Sequence, residues 1–132
     1  WISHVRSIRP ILIFFRDENE SAPRWKIKNI GQGPAMHIRI RDYDAKGNVV
    51  RKVRPYPLMP GIDRPLDWVK EGAKLETDYT DAYGRNWYRS IGIENETIFK
   101  SRRNWWRRPT LKEIKEYDVE IHVLRAMRTK GP

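Results

Sequence analysis

Cysteine is absent from the 132 residues. Its absence excludes a disulfide framework, any zinc site built on thiolates, and a thiol nucleophile. No apolar run approaches membrane-spanning length, and no secretory leader is visible. Acids are in short supply: 27 Lys and Arg stand against 17 Asp and Glu, for a net charge of +10. That imbalance favours anionic surfaces as neighbours and leaves the fold open. Histidine is scarce as well. His4, His37 and His122 are far apart and show no His-x-x-x-His spacing, so the sequence implies no metal site, no cofactor and no evident small-molecule substrate. The opening "WISHVRSIRP" has no initiator Met. It reads as the start of a fragment of a longer protein, with residues 1–8 as a linker or juxtamembrane segment.

What is present is alternation between tight bends. A chain of this length suits one domain, burying about two-thirds of its unfolded surface. Residues 9–125 are expected to form it, followed by a basic tail over 126–132. "RPILIFFR" (9–16) is a compact apolar run that reads as a strand buried on both faces or nearly so. "RWKIKNI" places Trp25, Ile27 and Asn29 on one side and Lys26 and Lys28 on the other. "AMHIRIRDYD" opposes Met36, Ile38 and Ile40 to His37, Arg39 and Arg41. "DAKGN" supplies turn chemistry before the return strand "VVRKVR". The proline-rich "PYPLMPGIDRP" predicts an irregular crossing, with "PLDWV" as a short strand after it. "AKLETDYT", the turn "DAYGRN" and "WYRSIGI" make a second hairpin. "TLKE" from Thr110 is a capping box that starts a short helix. The alternation of Val119, Ile121 and Val123 predicts a strand after that helix.

The stretch "NIGQGPA" (29–35) interrupts two alternating segments. A phosphate cradle would need the three-glycine dinucleotide fingerprint or a Gly-Lys-Ser/Thr ending, with a helix following. Neither is present and a strand follows. Asn29, Gly31, Gly33 and Pro34 are therefore read as a structural turn, in which glycine permits positive φ or close backbone approach and Pro34 restricts Gly33.

The order "RPILIFF", "WKIKNIGQGPAMHIRI", "LMPG" and "LETDYTDAYGRNWY", spanning residues 9–91, resembles the immunoglobulin-like β-sandwich domains of bacterial proteins, including the cell-adhesion-related type. The shared marks are a strand ending in Asn-x-Gly (Asn29, Gly31), an alanine soon after (Ala35), and Pro60-Gly61 before an alternating strand. It also resembles an uncharacterised class of bacterial proteins in which N-terminal membrane helices precede such a sandwich. The resemblance implies an all-β, immunoglobulin-like antiparallel β-sandwich of seven to nine strands, tethered to a membrane through segments outside the chain. The periodicity and turn spacing independently give about seven short strands. Tyr79 is a candidate tyrosine corner, its hydroxyl bonding nearby backbone.

Convergent catalytic groups are few. Asp78 with Asp81, and Asp42 with Asp44, each flank a predicted hairpin turn, where Asp serves the backbone. No catalytic residues are assigned. "NET" (95–97) matches a glycosylation triplet of a kind that arises often by chance. The most concentrated feature is "KSRRNWWRRPTLK" (100–112), with six basic residues and no acid, or +6 of the total +10. Arg102, Arg103, Arg107 and Arg108 bracket Trp105 and Trp106. Against an anionic membrane, indoles favour the interface and each cation contributes about 1 kcal/mol. Against single-stranded nucleic acid, guanidinium groups hold phosphates and indoles stack on bases. In a purely structural role, the tryptophans close one end of the sandwich and the arginines stay solvated. The expectation is a non-catalytic interaction domain with a protein or anionic membrane partner on the cytoplasmic side, or alternatively a nucleic-acid-binding module.

Overall fold

A computed structural model describes residues 9–17, 24–84, 86–94, 96–102 and 110–129. The alternating segments become strands: β1 (Leu12–Arg16), β2 (Trp25–Asn29), β3 (Met36–Tyr43), β4 (Val49–Arg54), β5 (Asp63–Pro65), β6 (Lys74–Thr80), β7 (Trp87–Ile93) and β8 (Glu96–Arg102). Helix α1 (Leu111–Lys115), the two-residue β9 (Asp118–Val119) and helix α2 (Glu120–Thr129) complete the order. They form an all-β sandwich of two sheets, a three-stranded one in the order β1-β2-β5 and a six-stranded one in the order β8-β7-β6-β3-β4-β9. All pairings are antiparallel except β4 with β9.

Side chains of period two meet between the layers. Leu12, Phe14, Trp25 and Ile27 from the smaller sheet pack into one core with Ile38, Ile40, Val53, Leu75, Tyr79 and Tyr88 from the larger. Contact is close. A Cβ on Gly92 of β7 would lie 2.9 Å from the Phe14 side chain, so a larger residue there would push the sheets apart.

Hydroxyl groups stitch the layers together. The Tyr79 hydroxyl accepts from the Leu12 N–H at 3.0 Å and shares a hydrogen bond with Ser90 Oγ at 2.9 Å. Burial pushes this phenol up to about 12, against the lowering effect of both hydrogen bonds. The tyrosine-corner expectation is thereby corrected: the hydroxyl reaches backbone 67 positions away on the opposite sheet, because Tyr79 faces the core. Thr97 Oγ1 similarly accepts from the Phe14 N–H (3.1 Å) and donates to the Phe14 carbonyl (2.9 Å).

Asn29 is the hub of the 29–35 turn. Fully buried, its carboxamide oxygen accepts from the N–H groups of Ile11 (3.3 Å) and Gly31 (2.9 Å). Its Nδ2 donates to the carbonyls of Gly33 and Leu58, both at 2.9 Å. That uses the two donors and both lone pairs of the side chain. Gly31 is required by close approach: a Cβ would sit 2.4 Å from the Arg9 carbonyl oxygen and 2.5 Å from the Ile11 nitrogen. The Asp44 turn forms as read, its Oδ1 accepting from the N–H groups of Lys46 and Asn48.

Two local expectations are corrected. "PLDWV" is not a strand: β5 ends at Pro65, the Val69 N–H closes a turn onto the Leu66 carbonyl, and both Leu66 and Trp68 point into the core. Beyond α1, whose Thr110 Oγ1 caps the Glu113 N–H, the predicted strand over Val119–Val123 reduces to β9. The chain then turns helical and stays so through Thr129. Ile121, Val123 and Leu124 are each only half-buried, so the helix does not need the clean apolar stripe whose lack argued for a strand. Glu120, at its start, is buried and accepts from the Trp68 indole N–H at 3.2 Å.

Asn29→Ala is expected to lower unfolding free energy by at least about 3 kcal/mol, because four backbone groups lose a buried partner; urea denaturation measures it. Burial pushes the Glu120 carboxyl above its ordinary value, outweighing the Trp68 hydrogen bond and the Arg64 charge. The folded state therefore holds this proton more tightly than the unfolded chain does. Stability from this group is present below the unfolded pKa of about 4.3 and is lost as pH rises through the folded value. Glu120→Gln is expected to flatten that part of the stability–pH curve and to raise stability near neutrality, read from urea midpoints across a pH series.

Candidate functional site

The outer face of the six-stranded sheet carries a charge lattice set by strand register. Cross-strand pairing places Arg39 opposite Asp78 and Arg41 opposite Glu76 between β3 and β6, and Asp78 opposite Arg89 between β6 and β7. Asp78, 2% exposed, is the centre. Its Oδ2 accepts from Arg41 Nη1 (2.9 Å) and Arg39 Nη2 (3.3 Å), and its Oδ1 from Arg89 Nε (2.8 Å). Arg41 Nη2 donates to Glu76, and Arg41 Nη1 also donates to the Tyr117 hydroxyl at 2.9 Å. Burial opposes the charge on Arg41, but Asp78, Tyr117 and Glu76 outweigh it and hold the guanidinium above its ordinary value.

The aspartates expected at turns are thus divided. Asp44 and Asp81 do serve turns, Asp81 Oδ1 accepting from the Tyr83 N–H. Asp78 instead sits within β6 at the hub of the lattice. Asp42, fully buried in β3, accepts from the N–H groups of Lys70, Glu71 and Gly72 at 2.7–3.1 Å and anchors that loop. Sequence spacing cannot distinguish these roles, since only register decides which strand residue an aspartate faces.

Beside the lattice, at the end of the sheet where β3 and β7 begin and β4 and β6 finish, lies a groove of about 500 Å³. Met36, Tyr56, Pro57, Trp87 and Ile114 of α1 supply apolar walls. Local backbone irregularity shapes it: the β3–β6 register shifts between Met36 and Arg39, and His37 takes a positive φ of 51°. A bulge of this kind re-aims side chains at a sheet end. It turns His37 to the rim, its Nδ1 3.0 Å from Thr80 Oγ1. Arg39, shared with the lattice, lies over the rings of Trp87 (5.4 Å) and Tyr117 (5.6 Å). Arg54 lines the groove too and has no hydrogen-bond or ion-pair partner among the described residues; its Nε is buried.

Of the sequence-predicted partner-binding residues, Arg102 ends β8, with its backbone paired to Trp87. Arg103, Trp105, Trp106, Arg107 and Arg108 lie outside the described residues. Asn29, Gly31, Gly33 and Pro34 form the structural turn at the seam between the sheets. Among the described residues, no group of three or more His, Asp or Glu is placed to hold a metal ion. No family model, curated protein or solved structure matches this chain.

Asp78→Ala leaves three guanidinium groups without their shared carboxylate. It is expected to cost about 3–5 kcal/mol of folding stability, whereas Tyr117→Phe, which removes one hydrogen bond, costs about 1 kcal/mol. Parallel urea titrations of the two variants test that ordering.

Proposed function

We propose that this chain is a non-catalytic, immunoglobulin-like interaction domain of a larger, membrane-tethered bacterial protein, and that it presents a cationic surface to an anionic membrane or an acidic protein partner. One observation supports the reading above others: three acids are withdrawn from the surface of a chain whose net charge is +10. Asp42, Asp78 and Glu120 are buried against internal partners, and Glu76, Asp17 and Asp67 are held in ion pairs. Asp63, Asp67, Glu71, Glu94, Glu96, Glu116 and Asp118 stay exposed, but the excess of +10 leaves the chain cationic overall, which steers anionic partners.

The densest part of that excess, Arg102 to Arg108, follows β8 in sequence and precedes α1. Its indoles suit a headgroup layer, and its guanidinium groups suit lipid phosphates or carboxylates. A cytoplasmic placement agrees with the positive-inside preference of loops that flank membrane spans. No described helix is long and apolar enough to cross a membrane, so on this reading the tether belongs to another segment.

Flotation with vesicles containing phosphatidylserine, set beside vesicles of phosphatidylcholine alone, tests the proposal. Binding to the anionic vesicles only, weakened by salt and abolished when Arg102, Arg103, Arg107 and Arg108 are replaced by Gln, is expected. A gel shift with single-stranded DNA that loses roughly a hundredfold in affinity between 50 and 200 mM salt, as four phosphate contacts imply, would instead make the domain a nucleic-acid module.

A further inference from the structure

The groove beside Trp87 holds an unexplained cation. Of its lining residues, Arg39, Arg54 and His37 carry or can carry positive charge, and none is acidic. Arg39 is already committed to Asp78 and to two aromatic rings. His37 has one ring nitrogen tied to Thr80. Among the described residues, Arg54 alone of the three has a side chain with no partner, although Arg39 Nε is likewise buried without an acceptor. Arg54 Nε is shielded from solvent with no acceptor, and a buried donor left without a partner costs about 1–3 kcal/mol. Such groups in native proteins call for a cause, and a bound water or ion is one of the recognised causes.

The remaining chemistry of the groove narrows the choice of ion. Its walls are a thioether, an indole, a phenol ring, proline rings and the Ile114 side chain, a mainly apolar lining interrupted by few polar groups. A volume of about 500 Å³ lies within the range of small-molecule sites rather than of extended macromolecular interfaces. One free guanidinium matches one anionic head, and a planar carboxylate can take two parallel N–H bonds from it. We infer that this groove is a binding site for a small amphipathic carboxylate, an acyl or aryl acid whose head pairs with Arg54 and whose apolar body lies between Trp87 and Ile114.

The bulge has a part in this. His37 takes a positive φ at the register shift and lines the groove. Non-glycine residues held in that conformation concentrate at ligand sites, where the fold sustains the strain. His37, with its Nδ1 fixed by Thr80, presents its second nitrogen to a head group at the mouth. The test of this site uses no membrane or nucleic acid, so its outcome is distinguishable from that of the proposed cationic surface.

Octanoate and its uncharged analogue octanamide are titrated into the full chain by calorimetry, with methyl NMR of Met36 and Ile114 reporting location. Octanoate is expected to bind saturably, at least tenfold tighter than octanamide, and to shift both methyl signals. Arg54→Gln is expected to weaken octanoate about ten- to a hundredfold and leave octanamide unchanged, while Arg128→Gln, on the exposed face of α2, changes neither. Ile114→Glu serves as a second variant, placing a like charge on the apolar wall, and is expected to weaken octanoate at least tenfold; thermal melts confirm that each variant is folded. Equal affinity for the two probes, equal loss in Arg54→Gln and Arg128→Gln, shifts away from the groove, or no saturable binding at millimolar concentration would overturn the inference.

Discussion

A single buried carboxamide decides how the two sheets meet. Asn29 gathers backbone groups from the approach to β1, from its own turn and from the crossing that holds Leu58. Four hydrogen bonds to one side chain fix the angle at which β3 leaves β2. Because β3 then occupies the interior of the large sheet, its placement carries over to β4 and β6, and through β6 to β7. Gly31 permits the arrangement by letting the chain pass against the Arg9–Ile11 backbone. Aspartate in place of Asn29 would offer acceptors only and leave the carbonyls of Gly33 and Leu58 unserved.

The outer face follows from that placement. Once β3, β6 and β7 are in register, three arginines and two acids become cross-strand neighbours, and Asp78 is shared among the arginines. Buried ion pairs are often no more stabilising than apolar replacements, but breaking one is costly. The lattice therefore specifies more than it stabilises: it holds Arg39 over the Trp87 ring and draws Tyr117 onto the sheet. α1, one residue short of the Glu116–Tyr117 step, is thereby docked where Ile114 reaches the groove.

Local chemistry was legible in the sequence, and register was not. The Asp44 turn, the Thr110 cap and the alternation of β2 depend on residues within a few positions of one another, and all appear as read. The role of Asp78 depends on which strand lies across from it, so the sequence suggested only a turn aspartate. The Tyr79 hydroxyl was expected to bond nearby and instead spans the core, because distance along the chain says little about distance across a sandwich. At the C-terminal end, Val119, Ile121 and Val123 fit a strand as well as a half-buried helix, and tertiary packing on β4 and the core, through Val123 and Leu124, decided between them. The groove had no sequence signature at all, since it arises from a bulge and one positive φ at His37.

The hydroxyls of Tyr79 and Thr97 do more than join layers. β1 is an outer strand of the small sheet, and its outward-facing amides at Leu12 and Phe14, with the Phe14 carbonyl, are all engaged by those side chains. Unsatisfied groups along such a margin are templates for strand addition and aggregation. Here three of those groups are occupied by oxygen atoms of the molecule itself, so a stray strand finds fewer hydrogen bonds to make there. Edge-to-edge self-assembly through the β1 margin is thereby disfavoured.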